Sequence, residues 1–254
     1  TYRSSYGNPS FQNNPNRDLL QRTLCRTAIV PRPDRLFLTA DVSGIEVSIA
    51  TCYHKDPTML KYNFDAKSDL HRDMTIQCFL LDQYRKEGGE KILRKGTKNG
   101  FVFPQFYGDY YGNNVPVLLK WAGIPNEPRF NPKHGVVLMD DKTVSQHLID
   151  KGIGTHSKFE KHIEGIEDHF WNKRFPVYTK WKKTWVEEYY RKGFLQMYTG
   201  FICKGIMSKN DIINYPIQGS AFHCLLKAFI QALSELSIST PLPSWKRHIQ
   251  TMTL

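Results

Sequence analysis

The sequence predicts an α+β chain that turns mostly helical after its first sixty residues. Three observations carry that reading. A β-branched run, LFLTADV at 36–42, has the look of a strand and ends at an acidic residue, Asp41, beside Ser43 and Gly44. Leu70, Met74, Cys78 and Leu81 recur at helical spacing. Over 217–236, Ala221, Phe222, Leu225, Phe229, Leu233 and Leu236 fall on one helical face.

The length of 254 residues suits one large domain or two small ones. Apolar residues make up 40% and charged residues 23%, which argues against wholesale disorder. No apolar run approaches the ~20 residues of a membrane span, so no membrane association is expected. Cys25, Cys52, Cys78, Cys203 and Cys224 lie far apart, which argues against a disulfide scaffold and for a reducing compartment. A net charge of +11 points to a polyanionic partner.

Taken in order, residues 1–20 are rich in Asn, Ser, Pro and Arg and read as an extended polar segment. Residues 26–53 read as a strand pair entering a helix, with Ile45, Ile49 and Cys52 at helical spacing. Helical pattern returns over 69–111, broken at Gly88-Gly89, with a new helix from near Glu90. Prolines 116, 125, 128 and 132 interrupt 112–135, and 136–156 reads as a small, partly helical insertion. A charged and aromatic stretch runs from Phe159 to Lys192 and breaks at Pro176.

Several constellations allow two readings each. Asp41 either caps a helix or holds a divalent cation facing a phosphate. Arg94 and Lys98, one turn apart, form a solvated face or bind a triphosphate. Phe103 and Tyr107 are core or a stacking platform. Over 170–190 aromatics interleave with Lys173, Arg174, Lys180, Lys182 and Lys183, as in single-strand binders, yet Tyr178, Trp181, Trp185 and Tyr189 keep the spacing of a buried stripe. His162 and His169 are two turns apart, too far for one metal ion without other ligands.

The order of these pieces is more specific than any one of them. TYRSSYGNPSFQNNP (1–15), LTADVSGIEVSIATCYHKDP (38–57), DLH (69–71), RKGTKNGFVFPQFYG (94–108), GFLQMYTG (193–200) and NYPIQGSAFHCLLKAF (214–229) resemble, in order, six motifs of the family A DNA polymerases, the DNA polymerase I type. The long 126–192 segment points to a phage-like member.

The resemblance implies a right-hand polymerase: palm over 1–60, mainly helical fingers with an insertion over 61–205, a palm helix over 206–236 and an atypical tail over 237–254. It implies template-directed nucleotidyl transfer to a DNA primer, with primer–template DNA and deoxynucleoside triphosphates as partners, Mg²⁺ as cofactor, a monomeric state and a cytoplasmic location. Asp41 matches the carboxylate that binds both metal ions, and the Val42 carbonyl faces one of them. Glu46 matches the glutamate under the incoming sugar. His71, Arg94 and Lys98 match residues that bind the triphosphate, with Lys98 also placed to protonate leaving pyrophosphate. Phe103 matches the aromatic at the sugar and Tyr107 the one near the templating base. Arg3, Gln12, Asn13 and Gln218 match primer–template contacts.

Two departures stand out. Five residues separate Lys98 from Phe103 where the family has four, which on a regular helix turns the aromatic ~100° off the basic face. A π-bulge or kink near 99–104 would absorb the extra residue. No acidic residue follows Glu235, where the family's third motif carries the second metal carboxylate. The sequence therefore predicts a fragment inactive on its own. The alternative is a catalytically silent module that binds DNA or nucleotide.

Overall fold

The computed structural model describes residues 19–34, 42 and 44–239. In chain order these residues form α1 (Leu19–Thr27), α2 (Ile45–His54), α3 (Pro57–Phe64), α4 (Leu70–Phe79), α5 (Gly88–Thr97), a π-helical turn (Lys98–Val102) and α6 (Phe103–Phe106). Then follow α7 (Tyr111–Ala122), α8 (Val144–Asp150), α9 (His156–His169), a second π-helical turn (Phe170–Arg174) and α10 (Pro176–Lys192). Strands β1 (Phe194–Gln196) and β2 (Ile202–Lys204) pair as a two-stranded sheet, and α11 (Lys209–Ser239) closes the series. Among the described residues the fold is thus mostly helical, and the strand expected before Asp41 lies outside them. The first strand of the expected pair is replaced: α1 runs to Thr27, with no strand over 28–34.

The chain divides into two compact units. The first holds Thr1–Ile49, Gln196–Cys203 and Tyr215–Leu254. In it, the turn between the strands closes through the Met197 N–H on the Phe201 carbonyl (2.8 Å), with Gly200 at a φ of 83° that glycine adopts without cost. Thr199 Oγ1 and His223 Nδ1 lie 2.9 Å apart, and the Phe201 ring meets His223 at 5.6 Å. Ile217 and Ala221 of α11 are buried, whereas Leu225, Phe229 and Ile230 are exposed. The apolar face read over 217–236 is therefore covered only at its start.

The second unit holds Ala50–Leu195 and Lys204–Asn214. Its core gathers the predicted stripe, with Leu70, Met74, Cys78 and Leu81 all buried, together with Phe79, Leu93, Leu118, Leu119, Phe159 and Phe170. Helix α7 approaches α5 and the π-helical turn after it closely because glycines stand at both contacts. A Cβ on Gly96 would come within 2.5 Å of Trp121 Cβ, and one on Gly100 within 3.0 Å of Val117 Cγ1. Helix α7 runs through Pro116, contrary to the interruption expected there. The break at Pro176 is observed, with the proline in the first turn of α10, where its missing N–H costs nothing.

One buried carboxylate starts two helices. Asp56 Oδ1 accepts the N–H groups of Thr58 (3.0 Å) and Met59 (3.4 Å) at the head of α3. Its Oδ2 accepts those of Val177 and Tyr178, both at 3.1 Å, at the head of α10. The Asp56 N–H donates in turn to His54 Nδ1 (2.9 Å), and the His54 ring stacks on Tyr178 at 4.1 Å. Helix N-termini leave such N–H groups unpaired, so Asp56 satisfies four of them at once.

Candidate functional site

The site is built on α4, α5 and the π-helical turn that follows α5. Asp69 caps α4 by accepting the Arg72 N–H (3.0 Å). The same carboxylate takes a two-pronged contact from Arg94 on α5, Nε to Oδ2 at 3.1 Å and Nη2 to Oδ1 at 3.0 Å. This geometry fixes the guanidinium plane and leaves the Nη1 donors outside the contact. Burial pushes the Asp69 carboxyl up, but the Arg94 bond and the Arg72 N–H outweigh it and hold the group below its ordinary range.

Between Lys98 and Phe103 the helix widens. The Phe103 N–H donates to the Lys98 carbonyl, five residues back. This extra residue per turn offsets the five-residue gap, so Phe103 returns to the basic face. Lys98 Nζ stands 5.1 Å from the centre of the Phe103 ring, and His71 meets that ring edge-on at 5.7 Å. The second π-helical turn packs against the first: Phe101 and Phe170 meet edge to face at 5.5 Å. Widened turns that present aromatics to one another are maintained by that packing.

His71 stays neutral in this setting. Burial first, then the Arg94 and Lys98 charges, lower its pKa to about 4, against the opposing pull of Asp69. Its buried Nδ1 has no hydrogen-bond partner. Lys98 has no anionic partner among the described residues. The face therefore presents an ammonium over an aromatic ring, a clamped guanidinium and a neutral imidazole, a set able to hold a polyphosphate beside an apolar group.

Past α6 the chain borders a cavity of about 560 Å³. Tyr107, Trp171, Lys182, Lys183, Lys209 and Asn210 are among its walls. Gly108, at a φ of 89°, lets the chain pass Asn210, whose Oδ1 would lie 2.4 Å from a Cβ there. Behind it, Gln105 ties three elements together: its Nε2 donates to Asn114 Oδ1 (2.8 Å) and Glu167 Oε2 (2.5 Å), and its Oε1 accepts the Trp171 N–H (2.7 Å).

The structure thus brings together His71, Arg94, Lys98 and Phe103. Tyr107 ends α6, is 42% exposed and faces the cavity. In the first unit, Glu46 lies in the first turn of α2, Val42 is exposed, and Gln218 is half-buried on α11. Asp41, Arg3, Gln12 and Asn13 lie outside the described residues, and so does the expectation that Asp41 shares a surface with Gln218. The carboxylate assigned to Mg²⁺ by resemblance is Asp41. No group of three or more His, Cys, Asp or Glu able to hold a metal ion occurs among the described residues. Sequence reasoning assigned no role to Asp69, although it sits in the quoted DLH segment. Nor did it single out Lys182, whose signal was the basic–aromatic interleaving over 170–190.

No protein-family model matches the chain, and no curated protein matches it. Its fold is similar to that of the POL domain of Pol1 from M. smegmatis, solved in complex with DNA primer-template and dNTP, with a TM-score of 0.57 at 19% identity. The likeness covers 90% of this chain and 35% of that one, so the chain spans about a third of its neighbour's length. At that identity the likeness is one of fold alone. No helix among the described residues is long and apolar enough to cross a membrane.

Proposed function

We propose that this chain takes part in template-directed transfer of nucleotides to a DNA primer, as a DNA polymerase of the family A type. One observation carries the reading: the π-helical turn returns Phe103 to Lys98 and His71, on the helix that also bears Arg94. Without that turn the basic and aromatic residues would face apart, and the motif would be a coincidence of letters.

In this reading the triphosphate of an incoming nucleotide pairs with Lys98 and with the Nη1 donors of Arg94. Phe103 packs on its sugar and Tyr107 lies near the templating base. Cations at the phosphates offset the charge that develops on leaving pyrophosphate, and Lys98 is the group placed to protonate it. His71, neutral, packs edge-on to Phe103 and adds no repulsion toward Lys98. Mg²⁺, held by Asp41 and the Val42 carbonyl, would activate the primer hydroxyl and neutralise the phosphates. Glu46 packs beneath the sugar, and Arg3, Gln12, Asn13 and Gln218 contact primer and template.

The test is to measure nucleotide and duplex binding separately, alongside primer extension. Lys98→Ala should weaken deoxynucleoside triphosphate binding by ~10-fold or more while duplex affinity changes less than ~3-fold. Duplex binding should fall steeply with salt, as expected for phosphate contacts by a chain of net charge +11. Equal loss of both affinities in the variant would refute the assignment. Binding of both ligands without extension is common to the inactive-fragment and silent-module readings and separates neither.

A further inference from the structure

We infer that Lys182 is a self-modifying lysine, acylated at Nζ by small acyl phosphates that enter the cavity beside Tyr107. The inference begins with an amine placed where an ordinary lysine is not. Lys182 lies in the second turn of α10, and its Nζ stands 3.1 Å from the centre of the Trp171 ring and 5.3 Å from that of Tyr178. It has no ion pair and no hydrogen bond among the described residues. The ring faces offer a cation some attraction, but far less than the hydration it has lost. The Lys182 side chain also lines the 560 Å³ cavity, so the amine is both desolvated and reachable.

The neighbouring Lys209 cation works in the same direction. Burial, then repulsion from Lys209, lowers the Lys182 pKa to about 7, with Glu167 opposing. Lys183 and Asp109 also line the cavity, and His54, stacked on Tyr178, feels the Lys182 charge. At pH 7 about half of this amine carries a free lone pair, against roughly four parts in ten thousand for an ordinary lysine. Desolvation and an adjacent cation are the two ways in which a lysine is made nucleophilic.

The same residues select the electrophile. Lys183 and Lys209 face a cavity whose lining holds one carboxylate, Asp109. A dianionic reagent is concentrated there and a cationic one excluded. An acyl phosphate meets both demands, because it carries a carbonyl for the amine and a phosphate for the lysines. The Lys182 nitrogen attacks the carbonyl carbon. The new C–N bond forms, the bond from carbonyl carbon to bridging oxygen breaks, and inorganic phosphate leaves with the electron pair. The nitrogen loses a proton to water, and a neutral amide remains. No oxidant, reductant or metal takes part.

The experiment treats the full chain with acetyl phosphate and maps acetylation by mass spectrometry over time. Lys182 should react at least ~10-fold faster at pH 7 than exposed Lys86 and Lys133. Its rate should level off above pH ~8, while theirs rises about tenfold per pH unit toward 10. Lys183→Gln should slow acetylation of Lys182 by acetyl phosphate several-fold but leave its reaction with uncharged phenyl acetate within ~2-fold. In urea the advantage of Lys182 should vanish. A Lys182 rate equal to that of the exposed lysines, or one that climbs with pH in parallel with theirs, overturns the proposal. An equal effect of Lys183→Gln on both reagents overturns the role given to the phosphate.

Discussion

Phe103 follows Lys98 by five residues, yet its ring centre lies 5.1 Å from the Lys98 ammonium, because the helix between them makes one π-helical turn. The turn is held from outside by Phe170 against Phe101, and from inside by Gly100, which admits Val117. Deleting Asn99 would restore regular α-helical spacing. Because the widened turn takes up one residue, the deletion should leave α5 and α6 in phase and Phe103 on the basic face. We expect a loss of no more than ~1 kcal/mol, from repacking of Phe101 against Phe170, read from urea unfolding. A loss of several kcal/mol would show that the extra residue is not absorbed within the turn.

Asp56 gives a second prediction. Asp56→Ala removes acceptors from the heads of both α3 and α10 and leaves four N–H groups to find others. One lost cap costs about 1 kcal/mol, and buried unpaired N–H groups add to it, so a total of roughly 2–4 kcal/mol is expected. Asp56→Asn keeps one oxygen and should fall between Ala and the parent. If Asn and Ala prove equally mild, the double cap contributes little.

A third prediction concerns acid. The His71 pKa is lowered to about 4 by burial and then by Arg94 and Lys98, and that of His54 to about 4 by burial, with Lys182 adding and Asp56 opposing. Unfolded histidine takes up its proton near pH 6.5. Below that value the unfolded chain therefore binds more protons than the folded one, and stability falls as pH drops from 6.5 toward 4. Each histidine contributes a slope near ~1.4 kcal/mol per pH unit in the middle of that window. His71→Gln should remove one such slope between pH 6 and 5, measured by denaturation at fixed ionic strength. An unchanged slope would mean that His71 is not neutral in the folded chain.

What was legible in the sequence follows from physics that is local in the chain. The helical stripe Leu70, Met74, Cys78, the break at Pro176 and the widening near 99–104 rest on spacing and on one residue's backbone chemistry. Helix α7 passing through Pro116 was not legible, because packing of Val115, Leu118 and Leu119 in the core outweighs one lost hydrogen bond. Helix α1 was missed for the opposite reason: with Leu20 and Leu24 exposed, it presents no buried face for a pattern to report. The tie between Asp69 and Arg94 joins residues twenty-five apart, and a half-buried lysine over Trp171 looks, in sequence, like any lysine of a charged helix.

The final prediction separates two roles for the tie between Asp69 and Arg94. Asp69 could compete with a phosphate for the guanidinium, or it could aim the guanidinium at one. The geometry favours aiming, since Nε and Nη2 face the carboxylate and Nη1 does not. Asp69→Asn keeps an acceptor for the Arg72 cap but loses the charge and one prong. If Asp69 aims Arg94, the variant should bind deoxynucleoside triphosphate some 3- to 10-fold more weakly, and Asp69→Ala more weakly still. If it competes, both variants should bind more tightly. Stability gives an independent check with a defined sign. The Asp69 carboxyl titrates below its ordinary value in the folded chain, so its contribution is complete above about pH 4 and is lost as pH falls through the lowered value. Asp69→Asn should therefore cost stability at pH 7, and this difference from the parent should shrink below pH 4. A tighter-binding Asn variant with the same stability profile would overturn the aiming role while leaving the cap intact.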